Sequence, residues 1–429
     1  MSDQRNLIIA IGLSLAILLG FQFFFEAPRQ EHMQKLADEQ AAEQARQTGQ
    51  GPDGSLIPTA PAQSGTPGAP GTAQTGSIPG APAIQAAPGA SRDAALRQSP
   101  RVPVNGPRLG GSIALKGGRI DDLTMLDYKA TIDEGSPAVT LFSPQGAPQP
   151  YFGQFGWVPI GELKVPDSDT VWQADHPSVQ PARPLTLSWD NGQGVRFIQV
   201  VEIDDNFMMT VTQRVENNST QAISTHPYGR IARTHTPNTL GFYILHEGPL
   251  AVFNETLKEV DYDDLQEGPA DATKSTGGWI GITDKYWLAA LIPDQKQPYT
   301  GTFRYSKPNK QDTYQADFMT QAPQLIAPGA TAQTVSHVFV GAKEVTLLDR
   351  YEEQLGIARF DLAVDFGWFY FLTKPLFFVL DYFFKMLGNF GLAILLLTVC
   401  VKAVFFPLAN KSYKSMSKMK ALQPEMTKL

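Results

Sequence analysis

The sequence predicts a membrane protein with a large exported β domain between two membrane segments. Two apolar runs, Leu7–Phe25 and Phe390–Leu408, are each long enough to cross a bilayer as a helix. Between them, a Gly- and Pro-rich stretch gives way to short alternating runs broken by turn residues. The predicted fold is therefore an N-terminal transmembrane anchor, a large antiparallel β-sandwich, an interfacial amphipathic helix and the start of an α-helical membrane core.

The composition of the 429 residues argues against several classes of protein. The formal net charge is −7, and no basic run interleaved with aromatic residues precedes the C-terminal end, which argues against sequence readout of a nucleic acid. The single cysteine, Cys400, lies in the second apolar run. No intramolecular disulfide can therefore stabilise the exported part.

Residues 1–26 are predicted to be an uncleaved N-terminal anchor. The run Leu7–Phe25 has no charged residue and would rise about 28 Å as a helix, close to the thickness of a hydrocarbon core. A cleaved signal peptide is the alternative interpretation. The apolar run is longer than a usual signal-peptide core, and the following "FFFEAPRQ" offers a poor cleavage site, which favours the anchor.

Residues 27–107 are predicted to be a disordered linker. Their character is shown by "GTPGAPGTAQTGSIPGAPAIQAAPGA", which is dominated by small residues, proline and glutamine. Such a segment buries too little apolar surface to offset the entropy of ordering its backbone. We expect it to act as a tether with no function beyond reach.

Residues 108–345 are predicted to form the β-sandwich. Asn191 and Gly192 lie between two strand-like runs, which indicates a hairpin. In "DNFMMTVTQRVEN" the side chains alternate as they do in a half-buried strand. The stretch "EVTLLDRYEEQLG" predicts a helix that ends at Gly356, within a helical connector that covers residues 346–388.

The last part of this connector, "FGWFYFLTKPLFFVLDYFFKMLG", is predicted to be a helix in the membrane interface. Thr373 is its predicted N-cap, and Pro375 fits its first turn. Asp381 and Lys385 each fall within about 20° of Lys374 on a helical wheel, and this narrow charged stripe would face water. A third full span is the alternative, but it would leave the C-terminal lysines outside, against the positive-inside rule.

Residues 389–429 are predicted to contain the first core membrane helix, Phe390–Leu408, and the start of a cytoplasmic helical hairpin. Lysines dominate the stretch after the span, which places this end in the cytoplasm. With two spans the N-terminus is also cytoplasmic, and residues from about 26 to 365 lie in the periplasm of a bacterium. The lysines of the hairpin start are Lys411, Lys414, Lys418 and Lys420.

The sequence contains no constellation that predicts catalysis. No two histidines have the i, i+4 spacing of a helical zinc site, and neither a phosphate-binding glycine loop nor a nucleophile elbow is present. We therefore predict no enzymatic activity, no catalytic residue, no metal and no cofactor. A sugar-binding cleft formed by His226, His235 and Glu247 is the weaker alternative, because no spacing supports it.

Lys402 is the one formal charge between Phe390 and Leu408, where a charge costs about 2.5–3.5 kcal/mol on insertion scales. In one interpretation the side chain snorkels toward the cytoplasmic interface, about 9 Å of helix rise away. In the other, the cation faces a hydrated cavity in the inner leaflet and attracts acidic or polar segments that enter the membrane. The helix alone does not decide between them.

The C-terminal stretch resembles the YidC/Oxa/Alb family of membrane protein insertases. The stretches "GNFG", "FPL" and "SMSKMKALQPEM" carry the resemblance, and the order of anchor, linker and β domain agrees with it. The resemblance implies that residues 108–345 are a periplasmic supersandwich, that Trp368–Leu387 is the interfacial helix, and that Phe390–Leu408 is the first of five core helices. It also implies that the chain is an N-terminal portion, because the family core has four more spans.

The resemblance further implies an insertase and chaperone of the inner membrane that performs no covalent chemistry. The family places a cation, usually arginine, at the Lys402 position, in a hydrophilic groove where it draws the polar tail of a client partway in. Lysine can lose its proton when desolvated, so the groove must be wet here. The implied partners are nascent membrane proteins, the Sec translocon, the ribosome and the lipid bilayer. The alternative function is a membrane-anchored periplasmic carbohydrate-binding or scaffold module.

Overall fold

A computed structural model of the chain describes Ile78 and residues 91–239, 245–268, 272–367 and 369–426, with side chains up to residue 417. These residues belong to two compact units, one within Thr72–Tyr370 and the other from Phe371 onward. The predicted anchor, residues 1–26, lies outside the described residues, as does the predicted linker up to residue 90 apart from Ile78.

The first unit is built almost entirely of short antiparallel strands. Among its described residues the helices are α1 (Arg92–Leu96), α2 (Tyr262–Glu267) and α3 (Val345–Leu355), with 3₁₀ turns at Pro308–Lys310 and Phe360–Ala363. The strands are β1 (Arg101–Asn105), β2 (Leu109–Ala114), β3 (Arg119–Lys129), β4 (Ala138–Phe142), β5 (Tyr151–Pro159), β6 (Gln173–Ala174), β7 (Leu185–Asp190), β8 (Val195–Ile203), β9 (Met208–Asn217), β10 (Ile223–Thr234), β11 (Gly248–Phe253), β12 (Thr256–Glu259), β13 (Ala272–Thr276), β14 (Gly278–Thr283), β15 (Trp287–Ile292), β16 (Pro298–Ser306), β17 (Thr313–Thr320), β18 (Gln324–Ile326) and β19 (Thr331–Ala342).

The strands form two sheets that pack face to face, which confirms the predicted antiparallel sandwich. The ten-stranded sheet has the order β1-β2-β3-β5-β10-β17-β16-β13, with β4 beside β3 and β18 beside β10. The nine-stranded sheet has the order β12-β11-β14-β15-β19-β9-β8-β7-β6. Side chains from both sheets share one hydrophobic core, which includes Trp157, Phe197, Ile231 and Phe318.

Local patterns that predict individual elements agree with the structure. β7 and β8 pair as a hairpin around the Asn191–Gly192 turn, and Gly192 has a positive φ of 74° that favours glycine. In β9, Met209 and Val211 are buried while Thr210 and the following threonine are only partly so, as the alternation predicts. Helix α3 ends at Gly356, which takes the left-handed conformation of a helix C-cap.

The structured domain begins before the predicted boundary at residue 108. β1 pairs with β2 over Arg101–Asn105, and Val102 and Val104 are buried in the core. Pro103 made this stretch resemble the linker, but proline is compatible with an edge strand because it needs no ladder donor there. The prediction of a disordered linker is therefore wrong from Arg92 onward, because α1 (Arg92–Leu96) buries Ala95 and Arg101–Asn105 is strand.

The domain also continues past residue 345 into the predicted connector. Leu348 and Tyr351 of α3 and Phe360 of the following 3₁₀ turn are buried in the core cluster. Trp279 on β14 contacts Phe360 edge to face at 5.6 Å, whereas its neighbour Ile280 lies toward β16 on the other sheet. The central strands of the nine-stranded sheet are thus covered on both faces, which explains why they read as continuous apolar runs.

The second unit contains two helices in its described residues, α4 (Tyr370–Leu387) and α5 (Phe390–Met426). The predicted cap at Thr373 is wrong, because α4 begins at Tyr370 and Pro375 lies inside it. The predicted span Phe390–Leu408 lies within α5, which continues without a break through the lysine-rich stretch.

Candidate functional site

Lys402 lies inside α5, surrounded in sequence by apolar residues. Within the described part of the chain, the segment Phe390–Ser417 of α5 is the one helix long and apolar enough to cross a membrane. Lys402 is about 18 Å of helix rise from Phe390 and about 13 Å from Lys411, the next lysine along the chain. The candidate site is therefore a cation in the half of the span nearer the lysine-rich end.

The face of α5 that carries Lys402 contains several small or polar residues. Helical spacing places Thr398, Ala409 and Tyr413 on this face, together with the apolar Leu395 and Phe406. The Thr398 hydroxyl donates to the Ile394 carbonyl at 2.8 Å and is thus satisfied within the helix. Lys402 is exposed, and the described residues offer its amine no hydrogen bond or ion pair. In a membrane such an amine requires water or an anionic partner.

A carbonyl that lacks its usual helical donor lies next to Lys402 in the sequence. Pro407 is inside α5 and has no N–H, so the Ala403 carbonyl lacks its usual donor four residues later. In transmembrane helices such freed carbonyls are satisfied by water or by polar neighbours. The sequence analysis did not identify this carbonyl, although the spacing of four residues between Ala403 and Pro407 can be read from the sequence. Both groups favour hydration of the same stretch of α5.

Helix α4 presents the residues predicted for the interfacial helix. The structure brings Asp381 and Lys385 together in an ion pair of 2.6 Å with i, i+4 spacing. Lys374 lies on the same face by helical spacing. No residue of α4 is buried, and its exposed large side chains include Phe371, Tyr382 and Phe384 among the described residues. An apolar helix with a single charged stripe has the composition expected in a membrane interface.

The lysines predicted for the cytoplasmic hairpin start lie on the same continuous helix. Lys411 and Lys414 are exposed. Lys418 and Lys420 lie in the last turns of α5, where the backbone alone is described. The structure therefore places these four residues on an extension of the membrane helix.

The β domain contains a polar cleft of about 490 Å³, which sequence reasoning did not predict. Arg233 lines it and donates to Asp284 at 2.6 Å, with its guanidinium stacked 4.9 Å from the Tyr151 ring. Burial raises the pKa of Tyr151 well above its ordinary value. The charges of Arg233 and Asp284 neutralise each other in this cleft. No sequence pattern predicts this ion pair, because the two residues are far apart in the sequence.

The residues proposed for a sugar-binding cleft do not come together. His235 lines the cleft just described. His226 instead contacts the Thr320 carbonyl through Nδ1 at 2.9 Å, and Glu247 accepts the Lys285 backbone N–H at 3.1 Å. Among the described residues, no group of three or more His, Cys, Asp or Glu side chains is arranged to hold a metal ion.

A polar network attaches the start of α3 to the opposite sheet. Arg108 donates to both Asp127 and Glu344, and the Tyr128 hydroxyl donates to Glu344 at 2.6 Å. Although burial opposes it, hydrogen bonds from Arg108 and Tyr128 hold the pKa of Glu344 below its usual value. Burial, together with the bond to Glu344, raises the pKa of Tyr128 to about 12.

Two family models match consecutive parts of the chain. Residues 101–379 match the YidC periplasmic domain, and residues 382–429 match the 60Kd inner membrane protein. The first match begins at the first residue of β1, in agreement with the observed start of the sheet.

Bacterial relatives match over nearly the whole chain. A protein of Methylobacterium radiotolerans named membrane protein insertase YidC is 44% identical over 437 residues, which cover 99% of this chain and 69% of that protein. A protein of the same name from Methylorubrum extorquens is 45% identical and covers 100% of this chain and 69% of its own length.

A distant structural likeness links part of the chain to a solved enzyme structure. A galactose mutarotase-related enzyme from Lactobacillus acidophilus is 7% identical, covers 56% of this chain and 97% of its own, and has a TM-score of 0.40. A likeness of this size supports no inference about activity.

Proposed function

The chain belongs to the YidC family of membrane protein insertases, and we propose that it inserts client membrane proteins into the inner membrane past the Lys402 face of α5. Family membership supplies the activity. The observation that supports the role of Lys402 is a single cation, next in sequence to a carbonyl freed by Pro407, in the otherwise uncharged stretch Phe390–Leu408 of α5.

The proposed mechanism is electrostatic and involves no covalent step. A hydrated face around Lys402 keeps the amine protonated, because water reduces the desolvation that would lower its pKa. The positive charge then attracts the polar or acidic exported tail of a client and lowers the barrier to its entry. Transfer of the apolar client segment from this face into lipid supplies the free energy of insertion.

The flanking elements fit this mechanism in a defined topology. We place α4 in the interface, with Lys374, Asp381 and Lys385 toward water. The lysines that follow the span lie on the cytoplasmic side, and the β domain lies in the periplasm, with the N-terminal anchor spanning the membrane from the cytoplasm. The chain is then multi-pass, with residues from about 26 to 365 exported.

Partners follow from the same arrangement. Nascent membrane proteins and the lipid bilayer contact the Lys402 face and α4. The exposed Lys411 and Lys414 form a basic extension on the cytoplasmic side, which suits an approach to the ribosome. The β domain offers the periplasmic surface on which the Sec translocon would be contacted. A chaperone role in the folding of clients rests on the same contacts.

The test measures the insertion of client proteins in cells depleted of the parent protein, in which the full-length parent or a variant is expressed instead. We expect Lys402→Ala to reduce insertion of a client with a short acidic tail at least tenfold, and to affect a client with a neutral tail much less. Lys402→Arg should retain insertion of both. Val404→Ala is the matched control, because Val404 is exposed on the same helix but lies about 160° around it from Lys402. Equal insertion of the acidic-tailed client by Lys402→Ala and the parent would show that the lysine merely snorkels.

A further inference from the structure

The outer face of the ten-stranded sheet holds an apolar side chain from the predicted tether. Ile78 is only 1% exposed and packs against Val158, Tyr228 and Met319, which form a small cluster separate from the main core. These three residues lie on β5, β10 and β17, three adjacent strands of the sheet. They are named the outer-face patch below.

The strand register shows that this patch faces away from the sandwich core. Tyr228 pairs with Met319 on one side and with Gly156 on the other, and Val158 lies two residues from Gly156 on the same face. The next pair along, Gly229 with Phe318, points the other way, and Phe318 belongs to the main core. Ile78 therefore packs on the opposite surface of the sheet.

Polar residues border the patch and limit its size. One step along the same face, Gln154, Arg230 and Asp317 pair across β5, β10 and β17. Arg230 donates to the Gln154 side-chain oxygen at 2.6 Å, and Arg304 donates to Asp317 at 2.8 Å. Charged and amide groups thus occupy the adjoining register and end the apolar surface on that side.

The chain has few residues that could fill such a patch. From Pro58 to Ala95 the sequence contains two aliphatic side chains larger than alanine or proline, Ile78 and Ile84. Gly76 and Gly80 flank Ile78 and allow close approach of its backbone to a sheet. An isolated isoleucine among small residues is therefore suited to fill a small apolar site.

We propose that the outer-face patch is a docking site for the chain's own tether, which binds there through Ile78. The tether then has a fixed point on the β domain upstream of α1, in addition to the ion pair between Arg92 and Asp122 of β3. Because one buried side chain must offset the entropy of ordering its neighbours, docking is reversible.

The test traps the contact with cysteines in the otherwise cysteine-free chain, after Cys400→Ser. The pair Ile78→Cys and Val158→Cys should form an intramolecular disulfide at least tenfold faster than the control pair Ile78→Cys and Leu325→Cys. Leu325 is 75% exposed on β18, beside β10, and does not belong to the patch. Equal rates for the two pairs would overturn the proposal, and disulfide-linked dimers alone would assign the patch to a second copy of the chain.

A thiol-labelling experiment keeps the proposal testable if the double variants do not fold. In Ile78→Cys the thiol should react with a maleimide at least tenfold more slowly than in Ile132→Cys, a fully exposed reference position. Adding Met319→Lys, which introduces a charge into the patch, should bring the rate at position 78 to that of the reference. Fast labelling in Ile78→Cys alone contradicts docking, and slow labelling that a soluble client segment abolishes would assign the patch to clients.

Discussion

Lys343 gives a sharp prediction for the pH dependence of β-domain stability. It follows β19, and its amine donates to the Thr283 hydroxyl at 3.0 Å. Burial lowers the pKa of Lys343 from 10.5 to about 8. It does so despite the attraction of surrounding acidic groups, which are Asp284, Asp365, Glu247 and Glu259.

The size of the effect follows from the difference between the two pKa values. A shift of this size corresponds to about 3 kcal/mol of penalty for the charged amine in the folded state. Between pH 8 and 10.5 the unfolded chain binds the proton and the folded chain does not, so the free energy of unfolding rises with pH across this window. Lys343→Met removes the penalty and loses a hydrogen bond worth about 1 kcal/mol. At pH 7 we expect the variant to be more stable by about 2 kcal/mol.

The measurement is urea unfolding of the full chain in detergent micelles at several pH values from 7 to 10.5, followed by tryptophan fluorescence. The parent should gain stability across this range relative to Lys343→Met. Lys285→Met is the control, because Lys285 is exposed and should give a curve parallel to the parent. Parallel curves for the parent and Lys343→Met would refute the assigned burial of the amine.

Three further changes test other parts of the structure. The parent should lose stability as the pH falls from 4.5 through the depressed folded-state pKa of Glu344, and Glu344→Gln should abolish this loss, measured by unfolding at pH 3 to 6. The same loss of stability in Glu344→Gln as in the parent would contradict the Arg108–Glu344 contact. Gly341→Ala should cost about 2 kcal/mol or more, because its methyl group would overlap the Phe207 ring, whereas Gly135→Ala, in open space, should cost little in the same unfolding assay. Pro407→Ala supplies a donor for the Ala403 carbonyl and should lower insertion of acidic-tailed clients, but less than Lys402→Ala does; full insertion would argue against hydration of that carbonyl.

The sequence predicts elements best where the pattern is local. Gly192 marks the β7–β8 hairpin, Gly356 ends α3, and the alternation in β9 identifies its buried face, because each depends on a few neighbouring residues. The order of strands in the two sheets is not readable in this way. Pairing of β5 with β10, for example, joins residues far apart in the sequence, and nothing local specifies it.

The errors have identifiable physical causes. Pro103 hides the edge strand β1 within a proline-rich context. Pro375 resembles a helix-start signal, yet α4 accommodates it in its interior. At the candidate site, the position of Lys402 on an apolar helix is evident from the sequence. The carbonyl that Pro407 frees becomes apparent only when the helix is known to continue through the proline.

The unbroken course of α5 has a mechanical consequence. Its 37 residues rise about 55 Å, so some 25 Å extend beyond a hydrocarbon core of about 30 Å. If the helix tilts by about 10° where it leaves the hydrocarbon core, the lysine-rich tip moves sideways by about 4 Å over a projecting length of about 25 Å. A partner that binds the lysine-rich tip can thus change the tilt of the helix segment that carries Lys402, because both belong to one unbroken helix.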